Sequence, residues 1–471
     1  MELNKREDFA GKSAHIIGMA RSGLAAVEVL VSLGAQVTVH DRKQASELPD
    51  AIAVCRKAGA ATMTGTDAYK GITDADFIVI SPGVPITNEA LILAGDAGIP
   101  ILPEIELAYR LSPAPIAAVT GTNGKTTTTA LIGAMIQASG SKVYIAGNII
   151  AGDIRLPLVK AAAQAAPDDV IAAEISSFQL EMISSFRPRV GALLNISADH
   201  LDRHPDIETY SAMKLRLFEF QRPDDFAVLN ADNEPVMKYI PAIKSHIILF
   251  SRLAEPAEGV FLRGSKVIWR FGGVEQVVCD TSSMKLRGSH NIENVLAASA
   301  VCMALGIEPV AIQSALDEFN PPEHRLEPVA NIDGVEFLNN SMCTNVDASV
   351  RSLEAIGRPA IVIAGGKDKG SDYSELGKAF VKYAKFVALI GADAGLIEDA
   401  ARAAGYTNLA TAASLADAVE IARKHAEPGD TVVLSPGCAS FDMFKDFEDR
   451  GRQYKSIVLS LVGRAGIRDG S

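Results

Sequence analysis

An α/β architecture in three domains is what this sequence predicts, and three observations predict it. The chain has 471 residues, more than one hydrophobic core usually organises. Short apolar runs alternate along it with helix-period patterns, the mark of parallel strands covered on both faces. Two proline-bearing junctions, "LSPAPIAAV" and "NPPEHRLE", interrupt that rhythm and place domains at residues 1–112, 113–321 and 322–471. A composition 48% apolar but only 6% aromatic suits cores built from alanine, valine and isoleucine.

The first segment opens with "SAHIIGMARSGLAAVEVLVSLGAQVTVHD", which reads as strand, glycine turn, helix and a second strand ending at Asp41, a Rossmann-like beginning. Taken alone it points to a nicotinamide dinucleotide. Ala20 stands where the second fingerprint glycine belongs, however, and Arg21 and Ser22 fill the turn, so a dehydrogenase is disfavoured. "DADFIVISPGVP" adds a buried strand and a turn. In the second segment "KVYIAG", "DDVIAAEISSF", "RVGALLNISADH" and "DFAVLNADN" read as successive strands of a parallel sheet, and "GVFLRGSKVIWRFGGVEQVVC" as a small antiparallel insertion. The third repeats the strand-helix rhythm with "RPAIVIAGGKDKG", "KFVALIG" and "DTVVLSPGCASFDMF", again Rossmann-like.

A net charge of −12 excludes a general nucleic-acid surface, while a local basic cleft for a phosphorylated substrate stays open. The start "MELNKREDFAGKSAHIIG" is charged where a secretory leader needs an apolar core, and no apolar run reaches membrane-spanning length, so a cytoplasmic protein without membrane insertion is expected. The five cysteines are scattered and never paired at metal-ligand spacing, which predicts reduced thiols. A monomer is the expected state.

The most specific chemistry lies in "IAAVTGTNGKTTTT". The usual phosphate-binding loop has its first glycine where this chain has Val119, so the loop is shortened to Gly121, Thr122, Asn123 and Gly124 before Lys125, Thr126 and Thr127. Its working parts survive: backbone N–H groups at a helix start, a mobile positive charge on Lys125, and a Thr126 hydroxyl able to ligate Mg²⁺. A nucleoside triphosphate is the first inference. Ligands of open α/β sheets sit beyond the carboxyl ends of strands, where Glu174, the Ser176–Gln179 run and Asp199–His200 also fall. Glu174 and His200 are candidate metal ligands there; their plainer readings are a helix-start carboxylate and a turn residue.

"TGTNGKTTT", "EISSFQLE", "NISADHLDRH", "SHNIENVLAA" and "PPEHRLE", in that order, resemble the Mur ligase family of ATP-dependent amino-acid ligases in peptidoglycan precursor synthesis. "VISPGVP" and "LSPGCASFDMFKDFEDRG" are most similar to its D-glutamate-adding branch. The short loop is then that family's own form. The resemblance implies that the carboxylate of UDP-N-acetylmuramoyl-L-alanine attacks the γ-phosphate of ATP, and that the amine of D-glutamate then displaces phosphate from the acyl phosphate. Such chemistry needs positioning and charge neutralisation above all. By the resemblance Gly121 to Thr127 cradle the phosphates, Thr126 and Glu174 hold Mg²⁺, and His200 holds a second metal. Lys214 matches a carbamylated lysine, which the residues alone would leave as an ordinary helix lysine. Asn148, Asn294 and Asn340 are implied near the nucleotide, and His324 and Arg325 at its phosphates and the transition state. Ser22, Asp41, Arg42, Ser81 and Gly83 match the UDP-binding turns, Ser176 and Gln179 the muramyl side, and Thr344, Lys369, Ser440 and Phe447 the glutamate site. Lys367 competes with Lys369 for the carboxylate.

"LNNSMCTN" departs from the branch's usual Asp-Ser-Lys-Ala-Thr-Asn core: Asn340 replaces the acid and Met342 the lysine, which removes a positive charge. Ile150 stands where a glycine normally follows "GNI". Cys343 reads as a small buried thiol. A ligase adding L-glutamate or another amino acid, and a regulatory paralogue that only binds ATP or UDP-muramyl precursors, are the alternatives; retention of Lys125, Glu174, His200 and Lys214 disfavours the latter.

Overall fold

The computed structural model describes residues 3, 5–149, 156–197, 206–286, 288–320, 323–367 and 371–465, with the side chains of 463–465 outside the description. In the first segment β1 (Ser13–Ile17), helix α1 (Arg21–Ser32), β2 (Gln36–Asp41), β3 (Ala61–Thr64), β4 (Phe77–Ile80), β5 (Ile101–Pro103) and helix α2 (Glu104–Leu111) follow one another. The strands form one parallel sheet in the order β3-β2-β1-β4-β5. The turn after β1 explains the missing glycine of the fingerprint. Gly18 takes a φ of 99°, which favours glycine, whereas Ala20 sits at φ −85° in extended backbone that any residue adopts.

The second segment runs through β6 (Ile116–Thr120), α3 (Lys125–Ala138), β7 (Val143–Gly147), α4 (Leu158–Gln164), β8 (Val170–Glu174), α5 (Ser177–Leu180), β9 (Val190–Leu193), α6 (Ile207–Leu215), β10 (Phe226–Asn230), β11 (His246–Ser251), β12 (Gly259–Arg263), β13 (Lys266–Phe271), β14 (Val274–Asp280) and α7 (Ser289–Ala304). The antiparallel stretch around Trp269 extends the same sheet: β12 pairs parallel with β11, and β13 and β14 follow antiparallel, giving nine strands in the order β14-β13-β12-β11-β10-β9-β6-β8-β7. Every residue of β6 and β9 is buried, as central strands covered on both faces require.

The third segment starts with an antiparallel hairpin, β15 (Glu327–Ile332) and β16 (Val335–Asn339), before α8 (Val346–Ile356), β17 (Ala360–Gly365), β18 (Ala384–Ile390), β19 (Leu409–Thr411), β20 (Thr431–Leu434) and α9 (Phe447–Ala465). Its two-residue turn is Asp333-Gly334, both at positive φ, 53° and 80°, the Asp-Gly signature of a twisted hairpin. The sheet order is β15-β16-β20-β17-β18-β19, and alternate residues of β17 feed a core on each face, Val362 on one and Ile361 and Ile363 on the other.

By contacts the chain forms two compact units: 1–196, 211–282 and 295–316 carry the first two sheets, and 197–210, 283–294 and 317–471 carry the third. Within the first unit the two sheets are tied by buried polar contacts. The Glu106 carboxylate accepts the N–H groups of Ser184, Ser185 and Phe186 at 3.1, 3.1 and 2.9 Å. Burial pushes that carboxyl up, yet the hydrogen bonds from Ser185 and Ser184 outweigh it and hold it below the ordinary range.

Candidate functional site

In the first sheet the strand order reverses between β1 and β4, and the residues expected to hold a nucleotide diphosphate gather at those strand ends. The Asp41 carboxylate accepts Met19 N–H at 2.9 Å and Lys43 N–H at 3.0 Å, so it braces the turn that carries Ser22. Ser81 Oγ donates to Gly18 O at 3.2 Å. Arg42 donates to Tyr69 Oη at 3.0 Å and lies over its ring, and Gly83 is exposed just beyond β4.

The central sheet reverses between β6 and β9, and the phosphate-type loop leaves β6 at that point. Gly124 caps α3 at φ 85°, a conformation that favours glycine, and Lys125 begins the helix. Lys125 Nζ donates to Gly121 O at 2.9 Å and Thr122 O at 2.8 Å, while Lys214 Nζ, buried at 1% exposure, donates to the same Gly121 O at 2.9 Å. Two ammonium groups thus share one carbonyl. Thr126 Oγ1 donates to Glu174 Oε2 at 2.7 Å, and Asn148 Nδ2 reaches Glu174 Oε1 at 3.4 Å. Thr127 Oγ1, at the first turn of α3, is buried with no hydrogen-bond partner among the described residues.

A hydroxyl and a carboxylate in contact beside a helix start are hard oxygen donors, and they fit a magnesium ion. His200 and Asp199 lie outside the described residues, as do Lys369 and Ile150. Among the described residues no group of three His, Cys, Asp or Glu side chains is disposed to hold a metal.

Asn195, which the sequence pattern did not single out, holds the phosphate-type loop. Its backbone carbonyl accepts Thr122 N–H at 3.0 Å, its side-chain oxygen accepts Asn123 N–H at 2.8 Å, and its amide donates back to Asn123 O at 3.1 Å. One asparagine at the end of β9 therefore fixes the loop at the end of β6; the only sequence sign was its place in "NISADH". Gln179 Oε1 accepts Ser176 N–H at 2.8 Å in a capping box at the start of α5, and Gln179 shares a shallow pocket with Ser81 and Glu104.

In the second unit a cavity of about 380 Å³ is lined by Lys285, Asn291, Asn320, Arg325 and Glu327. Asn294 donates to Asn291 Oδ1 at 2.9 Å at its edge. Burial and the nearby Arg325 and Arg351 guanidinium groups push His290 down to about 3, so it stays neutral within a basic cluster. His324, at φ 63°, accepts Asn339 Nδ2–H on Nδ1 at 2.8 Å, which assigns its own proton to Nε2, and burial lowers its pKa. Phe447 meets its ring edge-on at 6.4 Å.

Asn340 is buried, its amide donates to Ser352 Oγ at 2.8 Å, and its oxygen accepts Leu326 N–H at 3.2 Å. It braces the loop that carries Thr344, and Met342 beside it donates its N–H to His324 O at 3.1 Å. Ser440 is buried after β20, where its carbonyl accepts Phe444 N–H at 2.9 Å. Arg450, fully buried, donates to Ser341 Oγ, Ser341 O and Cys438 O at 3.0, 2.9 and 3.2 Å, binding the Thr344 and Ser440 loops to α9. All five cysteines are free and buried, and burial raises the Cys343 thiol above its ordinary value. No helix among the described residues is long and apolar enough to cross a membrane.

Known proteins resemble this chain along nearly its whole length. Residues 12–103 match the Mur ligase MurD-like N-terminal domain, 119–302 the Mur ligase middle domain, and 324–438 the Mur ligase glutamate ligase domain. The chain is 45% identical to a UDP-N-acetylmuramoylalanine--D-glutamate ligase of Pelotomaculum thermopropionicum, over 97% of this chain and 99% of that one. It is 43% identical to the protein of the same name in Koribacter versatilis, over 97% and 99%. Among solved structures, a pseudomurein peptide ligase type C from Methanothermus fervidus shares the fold at TM-score 0.61 and 19% identity, covering 96% of this chain and 100% of that one.

Proposed function

The chain belongs to the Mur ligase family, and from that premise we propose that it joins D-glutamate to UDP-N-acetylmuramoyl-L-alanine at the expense of ATP, in peptidoglycan precursor synthesis. The observation that carries this reading is the near-full-length likeness, at 45% identity, to a relative of that name. Residues 1–112 take the UDP portion, 113–321 the ATP and 322–471 the amino acid, in a cytoplasmic monomer.

The chain's own groups then have definite tasks. The amides at the start of α3 and Lys125 hold the β- and γ-phosphates, offsetting the repulsion that a substrate carboxylate meets there. Lys125 does so by exchanging the carbonyls of Gly121 and Thr122 for phosphate oxygens. Thr126 and Glu174 hold magnesium, which when bound neutralises charge on the transferring phosphoryl group. Asn195 keeps the loop rigid. Arg325, beside the neutral His290, supplies positive charge toward the phosphates, and His324 presents its Nε2 proton as a neutral donor where negative charge develops on the tetrahedral carbon's oxygen. Ser81, Ser176 and Gln179 orient the muramyl chain, with Ser22, Asp41, Arg42 and Gly83 on the uridine diphosphate. Thr344, Lys369, Ser440 and Phe447 place the glutamate, and Asn148 and Asn294 the adenine.

Lys214 is carbamylated in the working enzyme. The buried Lys214 ammonium and the half-buried Lys125 ammonium repel each other on one carbonyl, which favours loss of a proton from Lys214; the neutral amine then captures CO₂, releasing a further proton, and becomes a carboxylate-like group that would serve as a metal ligand. Activity should then fall in CO₂-free buffer and return with bicarbonate; activity indifferent to CO₂ excludes the carbamate.

Phosphate release with ATP, Mg²⁺ and UDP-N-acetylmuramoyl-L-alanine, comparing D-glutamate, L-glutamate and no amino acid, tests the whole reading, with product mass confirmed. Release and ligation with D-glutamate alone are expected. Preference for L-glutamate, or ATP binding without turnover, would replace it with one of the alternatives.

A further inference from the structure

Arg216 lies two positions after Lys214, where α6 passes into a single 3₁₀ turn, Arg216–Phe218. Residues two apart on a helix point to nearly opposite sides. Lys214 reaches Gly121 O in the phosphate loop, whereas the Arg216 guanidinium closes on the end of α5. Nη1 donates to Leu180 O at 2.8 Å and also to Glu181 O, and Nη2 donates to Ile183 O at 2.8 Å. The last carbonyls of a helix have no partner within it, and one planar fork takes the carbonyl of Leu180, the last residue of α5, together with those of Glu181 and Ile183 in the segment that follows. Nε is held by Glu219 at 2.7 Å, with the Glu219 side chain 41% exposed. The same α5 begins with the Ser176–Gln179 capping box and follows directly on Glu174.

One helical turn is therefore fastened at one side to the phosphate loop and at the other to the element that carries Gln179. We propose that Arg216 is a positioning residue that sets the register of Lys214 against Gln179, and so couples the muramyl-substrate side of the site to its phosphate side. This rests on the ligase reading for its substrates but on the carbonyl clamp for its geometry. Lysine has its three donors on one nitrogen and lacks the planar fork that spreads Nη1 and Nη2 over these carbonyls while Nε meets Glu219, so the geometry favours arginine.

The test compares wild type with Arg216→Ala, Arg216→Lys and Glu219→Gln, by steady-state kinetics and by amide hydrogen exchange. Displacement of both anchors by a fraction of an ångström should raise KM for UDP-N-acetylmuramoyl-L-alanine about tenfold and lower kcat about tenfold in Arg216→Ala, with KM for ATP within about twofold. Arg216→Lys should fall between, and Glu219→Gln should match wild type, since only the exposed partner is lost. Amides of residues 178–183 should lose protection in Arg216→Ala while those of β17 and β18 keep theirs. Unchanged KM values with kcat following the folded fraction, or unchanged exchange at 178–183, would overturn the proposal. If wild type fails to turn over, the ligase reading falls, and the exchange pattern still decides whether Arg216 positions α5.

Discussion

Glu104→Gln isolates a buried carboxyl whose cost can be worked from its surroundings. Glu104 opens α2 with 2% exposure, and its Oε1 accepts Val159 N–H at 2.8 Å at the start of α4. Burial pushes its pKa from 4.5 to about 7, against the opposing pull of the Val159 amide and the Arg21 charge. Between pH 4.5 and 7 the folded protein holds this proton while the unfolded chain has lost it, so this group's contribution to stability falls as pH rises through that window and is flat above it. At roughly 1.4 kcal/mol per pH unit the loss reaches about 3 kcal/mol. Glutamine keeps the shape and an acceptor for Val159 but has no proton to lose. The unfolding midpoint of Glu104→Gln minus that of wild type, followed by thermal denaturation across pH, should therefore grow between pH 4.5 and 7 to several degrees and then level off. Any lost hydrogen-bond strength adds only a pH-independent offset. Parallel curves for the two proteins would refute the reasoning.

The first sheet also carries an acid-side counterpart. His15 Nδ1 meets His40 Nε2 at 3.1 Å, His40 Nδ1 donates to Ala68 O at 2.6 Å, and burial together with His40 lowers His15 from 6.5 to about 4. This stability is complete above pH 6.5 and is lost as pH falls toward 4, by about 3 kcal/mol, and His15→Asn should remove that part of the acid sensitivity in the same denaturation series. In the second unit, a Cβ at Gly451 would stand 2.3 Å from His324 Nδ1. Gly451→Ala should displace His324 and lower kcat per folded enzyme on the order of 10²-fold, with a lower melting temperature from overpacking of about 1–3 kcal/mol, and an unaltered kcat would argue against His324 in the chemistry.

The sequence by itself determined the α/β class, the strand-helix order and the short phosphate loop, because these follow from local periodicity, glycine turns and the run Gly124-Lys125-Thr126. It also held the Asp333-Gly334 hairpin signature, which the repeating strand-helix rhythm of the third segment masked. Family likeness, not pattern, singled out Lys214, whose surroundings in the chain are those of any helix lysine. Tertiary structure alone decided what these groups touch. It set Lys214 and Lys125 on one carbonyl, placed the Asn340 amide against Ser352, and made Asn195 the clamp of a loop 72 positions away. The reason is physical: propensity and period act over a few residues, whereas hydrogen-bond partners, burial and the pKa values they set depend on strands that the sheet order brings side by side.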